Sequence, residues 1–264
     1  MQGMSEATRN SGNPRVAQQE DAFFGYERVD PATKTARVRG VFDSVADRYD
    51  LMNDLMSLGM HRWWKRLAVE ILDLRPRQRV LDLAAGTADI SSLIVSRRMP
   101  DLQLVSADIN GSMLAIGRDK LIDSGNFHAT EFVQANAESL PLHENAFDRV
   151  IIAFGLRNVT AKQKALEEIS RVLKPGGKLV VLEFSKPAPG MMAQIYDTYS
   201  FKVLPRIGEC VVGDGESYRY LAESIRVHPD QESLSLMMRR AGFDCVRFRN
   251  LIRGVVAIHS GRVL

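Results

Sequence analysis

The chain has little of what would mark a specialised class of protein. It holds two cysteines in 264 residues, Cys210 and Cys245, without C-x-x-C spacing. That excludes a disulfide framework and suggests a reducing compartment. The five histidines, His61, His128, His143, His228 and His259, show no ligand-like spacing, so no metal is expected. No run approaches the ~18 apolar residues a membrane-spanning helix requires. Lys and Arg total 35 against 32 acids, a net charge of +3. That surplus is too mild, and too little clustered, for a nucleic-acid partner. Internal repeats are absent. The first residues are polar, with Ser11-Gly12-Asn13-Pro14, and lack the apolar core of a signal peptide. Residues 1–23 are therefore expected to be a disordered tail and the protein cytoplasmic.

What is present is an ordinary globular composition, 45% hydrophobic and 25% charged. From Lys34 to Leu74 the pattern is mainly helical, with Val38, Phe42, Val45, Tyr49 and Met52 at steps of three and four. Strands and helices then alternate: strand 79–84, helix 89–98, strand 102–108, helix 111–123, strand 131–135, strand 147–154, helix 161–173 and strand 178–184. Lys174-Pro175-Gly176-Gly177 supplies a helix stop. A helix beginning near Asp230 leads to strands 244–250 and 255–260, whose short connection implies an antiparallel hairpin. The expected fold is α/β, a doubly wound and mostly parallel seven-stranded sheet with that antiparallel strand and an N-terminal helical cap. One domain, 24–264, divides into cap (24–75), cofactor-binding half (76–186), substrate-side insertion (187–229) and C-terminal helix with hairpin (230–264).

The most informative segment is Arg79-Val80-Leu81-Asp82-Leu83-Ala84-Ala85-Gly86-Thr87-Ala88-Asp89-Ile90. An apolar strand breaks into small residues and then opens a helix, so the backbone around Gly86 can approach a ligand at the strand's carboxyl end. Asp82 and Asp89 make the turn's rim acidic. Asp89, in the first helical turn, would repel a pyrophosphate seeking the free N–H groups. The G-x-G-x-x-G pattern of NAD and FAD sites is also missing. A cationic, phosphate-free cofactor suits this rim, and S-adenosylmethionine is one. The next strand ends at Asp108, near the offset at which an acid meets a ribose diol, so Asp108 is expected to accept both ribose hydroxyls.

Further segments carry a resemblance. They are Phe42-Asp43-Ser44-Val45-Ala46 with Tyr49-Asp50-Leu51-Met52-Asn53, Ser57-Leu58-Gly59-Met60-His61-Arg62, Gln134-Ala135-Asn136-Ala137-Glu138-Ser139-Leu140-Pro141, Phe154-Gly155-Leu156-Arg157-Asn158-Val159 and Ser217-Tyr218-Arg219-Tyr220-Leu221. With Arg171 to Gly177 and Leu182 to Pro187, they resemble the ubiquinone/menaquinone biosynthesis C-methyltransferases, within the Rossmann-like class I S-adenosylmethionine-dependent methyltransferases. The resemblance runs from about Phe24 to Leu264 and implies cofactor contacts at Thr87, Asp108, Asn136 and Ala137. For Asn136 an Asx turn closing the strand is an equal alternative. The chain departs from the family at Ala85 and Ala88, where glycine is usual, and at Ala153, where serine is usual. A methyl at 85 or 88 is costly if the loop needs φ above zero. At Ala153 any hydroxyl contact is lost, while a backbone contact with the cofactor stays open.

The family reaction methylates a ring carbon of a reduced polyprenyl benzoquinol or of demethylmenaquinol. The resemblance thereby implies a membrane-derived polyprenyl quinol as substrate and peripheral association with the inner membrane, and leaves a homodimer or a quinone-biosynthesis complex open. Ring carbon is a poor nucleophile until a neighbouring hydroxyl is deprotonated, so the site must stabilise a phenolate and align it. Arg157 is the first candidate for that electrostatic role, with Tyr49 and Asn158 placing the quinol oxygens and Asp50 and Asn53 as weaker candidates. A loop-anchoring salt bridge is the alternative for Arg157, and core packing for Tyr49. Met52, Met56, Met60, Trp63 and Trp64, with Met191, Met192, Tyr196, Tyr199 and Phe201, are candidates for a lipid tunnel, each also explicable as core. Rival readings are a methyltransferase acting on another small molecule and a non-catalytic scaffold.

Overall fold

The computed structural model describes residues 22–45, 53–54, 57, 59–127, 130–187, 190 and 215–264. Alternating segments of apolar strand and amphipathic helix build one seven-stranded sheet: β3 (Arg79–Leu83), β4 (Gln103–Asp108), β5 (Thr130–Gln134), β6 (Phe147–Ala153), β7 (Leu173–Phe184), β8 (Phe243–Leu251) and β9 (Val256–Val263). Their order is β5-β4-β3-β6-β7-β9-β8. Pairing is parallel from β5 through β7, while β9 runs antiparallel to both β7 and β8.

The strands read as continuous apolar runs because both faces are covered. Side chains alternate between faces at period two. Val80, Leu104, Ile151 and Val180 therefore join one core with α2 (His61–Leu72), α3 (Asp89–Val95) and α4 (Gly111–Asp123). Leu81, Val105, Ile152 and Val181 join another with α5 (Lys162–Val172) and α7 (Gln231–Arg240). Asp230 caps α7 by accepting the Ser233 N–H at 2.8 Å, which places the start of that helix where the sequence pattern did. α1 (Pro31–Val45) and α6 (Gly215–Val227) lie on the first face, where Val38 and Leu221 enter its core.

The strands and helices expected from residue 79 onward are present, with shifts of a few residues at their ends, and helices cover 31–45 and 61–72 of the expected cap. β7 begins earlier than expected, at Leu173, because Leu173 pairs with Phe147. The residues to Gly177 then form an irregularity before pairing resumes at Lys178 with Arg149. Two strands and one helix are additional. Residues Ala22–Phe24 (β1) and Glu27–Val29 (β2) pair as a small antiparallel hairpin, and α6 occupies the end of the 187–229 stretch. Tyr218, Leu221, Ala222 and Ile225 are all buried, and their spacing of three and four was the available signal for that helix.

Candidate active site

Connections from β3 and β6 leave toward opposite edges of the sheet, so a crevice opens at the carboxyl ends of these adjacent strands. An open cleft of about 810 Å³ lies there. Leu83, Ala84 and Gly86 after β3, Asp108 to Asn110 after β4, Ala135 to Glu138 after β5 and Phe154, Gly155 and Asn158 after β6 form it. α1 adds a further wall through Thr35, Val38, Arg39 and Phe42, and Met113 of α4 with Val159 and Thr160 completes the lining. Sequence reasoning had not placed α1 on the cleft, since only tertiary packing brings it there.

The β3–α3 loop is built on alternating handedness. Ala84 (φ 55°), Gly86 (φ 54°) and Ala88 (φ 61°) are left-handed, while Ala85 and Thr87 are not. The condition set for Ala88 is thus met: its methyl sits at positive φ, a conformation that costs a non-glycine residue about 1–2 kcal/mol. Ala88 is fully buried, and α4 makes room for it with Gly117, where a Cβ would come within 2.8 Å of the Ala88 methyl. Gly155 answers a similar approach across the cleft floor, since a Cβ there would overlap the Ala84 methyl.

Asp108 is half-buried and lines the cleft. Its Oδ2 accepts the Gly86 N–H at 2.8 Å and its Oδ1 the Asn110 N–H at 2.8 Å. Each oxygen keeps a second lone pair, enough for two hydroxyl donors from a ribose. Burial raises the Asp108 carboxyl above its usual value against the pull of those N–H groups. Asn136 also lines the cleft. Its Oδ1 accepts the Glu138 N–H at 3.0 Å, so the Asx turn is present, and its amide NH₂ is left to donate. Ala137 lines the cleft beside it.

Several sequence candidates lie elsewhere. Asp82 points beneath α3, where its Oδ2 accepts the Ser91 hydroxyl at 2.6 Å and Ser91 meets Ser106 at 2.6 Å. It is 1% exposed and does not line the cleft. Thr87 is buried with a hydroxyl that has no partner among the described residues. Ala153 stops one residue short of the cleft. Asp89 does not charge the rim as expected, because Lys65 at 2.7 Å and Lys120 at 3.5 Å take up its carboxylate. Burial works to raise Asp89, yet Lys65, Lys120 and His61 together outweigh it and hold the group below its usual value. Trp64 is core, in ring contact with Phe154 and Phe184, while Trp63 is exposed. Tyr49, Asp50, Met52, Met56, Met191, Met192, Tyr196, Tyr199 and Phe201 lie outside the described residues.

Arg157 makes the salt bridge weighed as the alternative for it. It is 4% exposed, and its Nη1 donates to Glu183 Oε1 at 2.8 Å and to the Phe154 carbonyl, while its N–H donates to Glu183 Oε2 at 3.1 Å. The pair anchors the loop after β6 from below rather than facing the cleft. Above it, Asn158 lines the cleft and receives the Tyr220 hydroxyl at 3.0 Å. Lys34, missed by sequence reasoning, reaches from α1 to the Val159 carbonyl at 3.2 Å and ties the α1 wall to the same loop. Burial lowers its ammonium pKa, with Glu138 opposing.

Asp82 makes one pH effect predictable. Burial raises its carboxyl to about 7. A carboxyl raised above its unfolded value favours the fold most below that value, near 3.8, and costs stability as pH climbs toward 7. Asp82→Asn should therefore be more stable than the parent at pH 8, with the difference vanishing toward pH 4, in urea unfolding at each pH.

A sheet in this order, with an acid at the end of β4 lining a cleft at the carboxyl ends of the parallel strands, defines a class I S-adenosylmethionine-dependent methyltransferase. Residues 31–263 match the sequence model of the ubiE/COQ5 methyltransferase family, and the chain belongs to that family. It is 55% identical over 238 residues to the ubiquinone/menaquinone biosynthesis C-methyltransferase of Pseudomonas fluorescens (strain SBW25), covering 90% of this chain and 93% of that protein. It is 52% identical over 251 residues to the protein of the same description from Ectopseudomonas mendocina (strain ymp), covering 94% and 98%. Among solved structures, a SAM-dependent methyltransferase from Thermotoga maritima, described as a possible histamine N-methyltransferase, superposes with a TM-score of 0.61 over 85% of this chain and 99% of that one. At 18% identity that likeness concerns the fold.

Proposed function

We propose that the chain transfers the methyl group of S-adenosylmethionine to a ring carbon of a reduced polyprenyl quinol, demethylmenaquinol or 2-polyprenyl-6-methoxy-1,4-benzoquinol, in respiratory quinone biosynthesis. The observation that carries this reading is the match over nine-tenths of the chain to relatives described as C-methyltransferases of that pathway. The cleft fits the donor. Asp108 offers paired acceptors for a ribose, Asn136 and Ala137 offer a neutral amide edge for adenine, and Thr87 has a buried hydroxyl with no partner among the described residues beside Gly86. When bound, the donor supplies an electrophilic methyl on a sulfonium.

The residues then act on the acceptor. Asn158, at the carboxyl end of β6, donates an amide N–H to a ring oxygen. Tyr49 places the second oxygen, and Arg157 with Glu183 holds the loop in register. A quinol carbon turns nucleophilic as the neighbouring hydroxyl gives up its proton, and the ring proton at that carbon leaves afterwards, so one methyl replaces one hydrogen. Walls of low polarity strengthen the stabilising contact with the phenolate.

A polyprenyl tail draws the enzyme to a membrane surface, where it works peripherally from the cytoplasm. No helix among the described residues is long and apolar enough to cross a bilayer. The Met- and Trp-bearing cap and the 187–229 insertion receive the tail in this reading. The test uses labelled donor with each demethylated quinol, with and without a reductant. Label is expected on ring carbon only under reducing conditions. Equal transfer to the quinones contradicts a phenolate step, and transfer to neither acceptor removes the assignment in favour of another small molecule or a scaffold.

A further inference from the structure

Asn158 is not free to turn. Tyr220, from α6, donates its hydroxyl to Asn158 Oδ1 at 3.0 Å across 62 residues of sequence. The tyrosine is itself held from behind, its ring stacked on Phe24 of β1 with centroids 4.2 Å apart and planes 15° from parallel. It is 3% exposed. Burial pushes its phenol well above the usual value, with the Arg157 guanidinium pulling the other way and the Glu183 carboxylate reinforcing the rise. The hydroxyl therefore stays protonated and remains a donor. A carboxamide whose oxygen accepts that donor has its NH₂ left to offer.

We propose that Tyr220 is a positioning residue for the acceptor: it fixes the Asn158 carboxamide so that the NH₂ edge meets the ring oxygen beside the carbon to be methylated. This rests on the quinol reading above. An N–H donor held in place favours an oxygen bearing negative charge, since hydrogen bonds to ionised acceptors are roughly twice as strong as neutral ones. Freed from Tyr220, the carboxamide can rotate and present its own oxygen, which repels the phenolate. The N-terminal hairpin thereby contributes to the acceptor site at one remove, through Phe24 and Tyr220.

Tyr220→Phe keeps the ring and its stack on Phe24 and removes only the hydroxyl. Its kcat is expected to fall about 10–100-fold, the scale of a misplaced catalytic group. Donor affinity by calorimetry and Tm should stay near the parent values, and the pH at which kcat rises with ionisation of the bound quinol should move upward. Asn158→Asp, which replaces the NH₂ by an acceptor, should lose at least as much. Adding Tyr220→Phe to Asn158→Ala should cost nothing further. Unchanged kcat in Tyr220→Phe, or a loss that simply adds to that of Asn158→Ala, overturns the proposal. So does a loss matched by a lower Tm without movement of the pH profile. A parent enzyme that methylates neither quinol defeats the substrate reading instead. The Asn158 side-chain amide signals in ¹⁵N-labelled protein then still test the hydrogen bond, and resonances identical in parent and Tyr220→Phe refute it.

Discussion

Replacing Arg157 by alanine is expected to destabilise the fold by about 3–5 kcal/mol, the usual cost of leaving one member of a buried ion pair without its partner. The Arg157 and Glu183 side chains are each 2% exposed, and Glu183 also holds the N–H of Arg157. Removing the guanidinium leaves a buried carboxylate and frees the Phe154 carbonyl. Turnover should fall as well, because Asn158 rides on the same short turn. Replacing both members with apolar residues separates the two effects. Arg157→Met with Glu183→Leu should recover most of the stability in denaturant unfolding. If turnover returns with it, Arg157 supports the loop only. If stability returns while turnover stays low, the guanidinium also acts on the acceptor.

The second large effect belongs to Asp108. Asp108→Ala should weaken donor binding by about 10²–10⁴-fold, from two charge-assisted hydrogen bonds of about 1.5–3 kcal/mol each. The carboxylate also aligns Gly86 and Asn110, so the loss reaches the neighbouring loops. Calorimetry with S-adenosylmethionine and with S-adenosylhomocysteine should show similar losses, since both carry the ribose. Parent-like affinity in this variant would place the sugar elsewhere.

The alternation of strand and helix was legible because a sheet covered on both faces demands unbroken apolar runs, and β3, β4 and β6 have them. The place of Asp108 at the end of β4 was legible because the length of a βα unit fixes where the next strand ends. The setting of Arg157 was not, since its ion-pair partner Glu183 lies 26 residues away on β7. Nor was that of Asp82. Its parity on β3 turns it toward Ser91 and away from the crevice, which needs the pairing and the helix above to be known. Asp89 misled because its two lysines come from α2 and α4. The α1 wall and the Tyr220–Asn158 bond share that cause, being contacts between elements distant along the chain. The hairpin at 22–29 is too short to show a period.

The β3–α3 loop resembles the turns by which many nucleotide-binding proteins seat a phosphate: backbone of alternating handedness opening on a helix. Here the Gly86 amide already has an anion, the carboxylate of Asp108. The molecule carries its own counter-ion where a pyrophosphate would otherwise dock. A pyrophosphate seeking the Gly86 amide would find it already taken, by a carboxylate set in place when the chain folded.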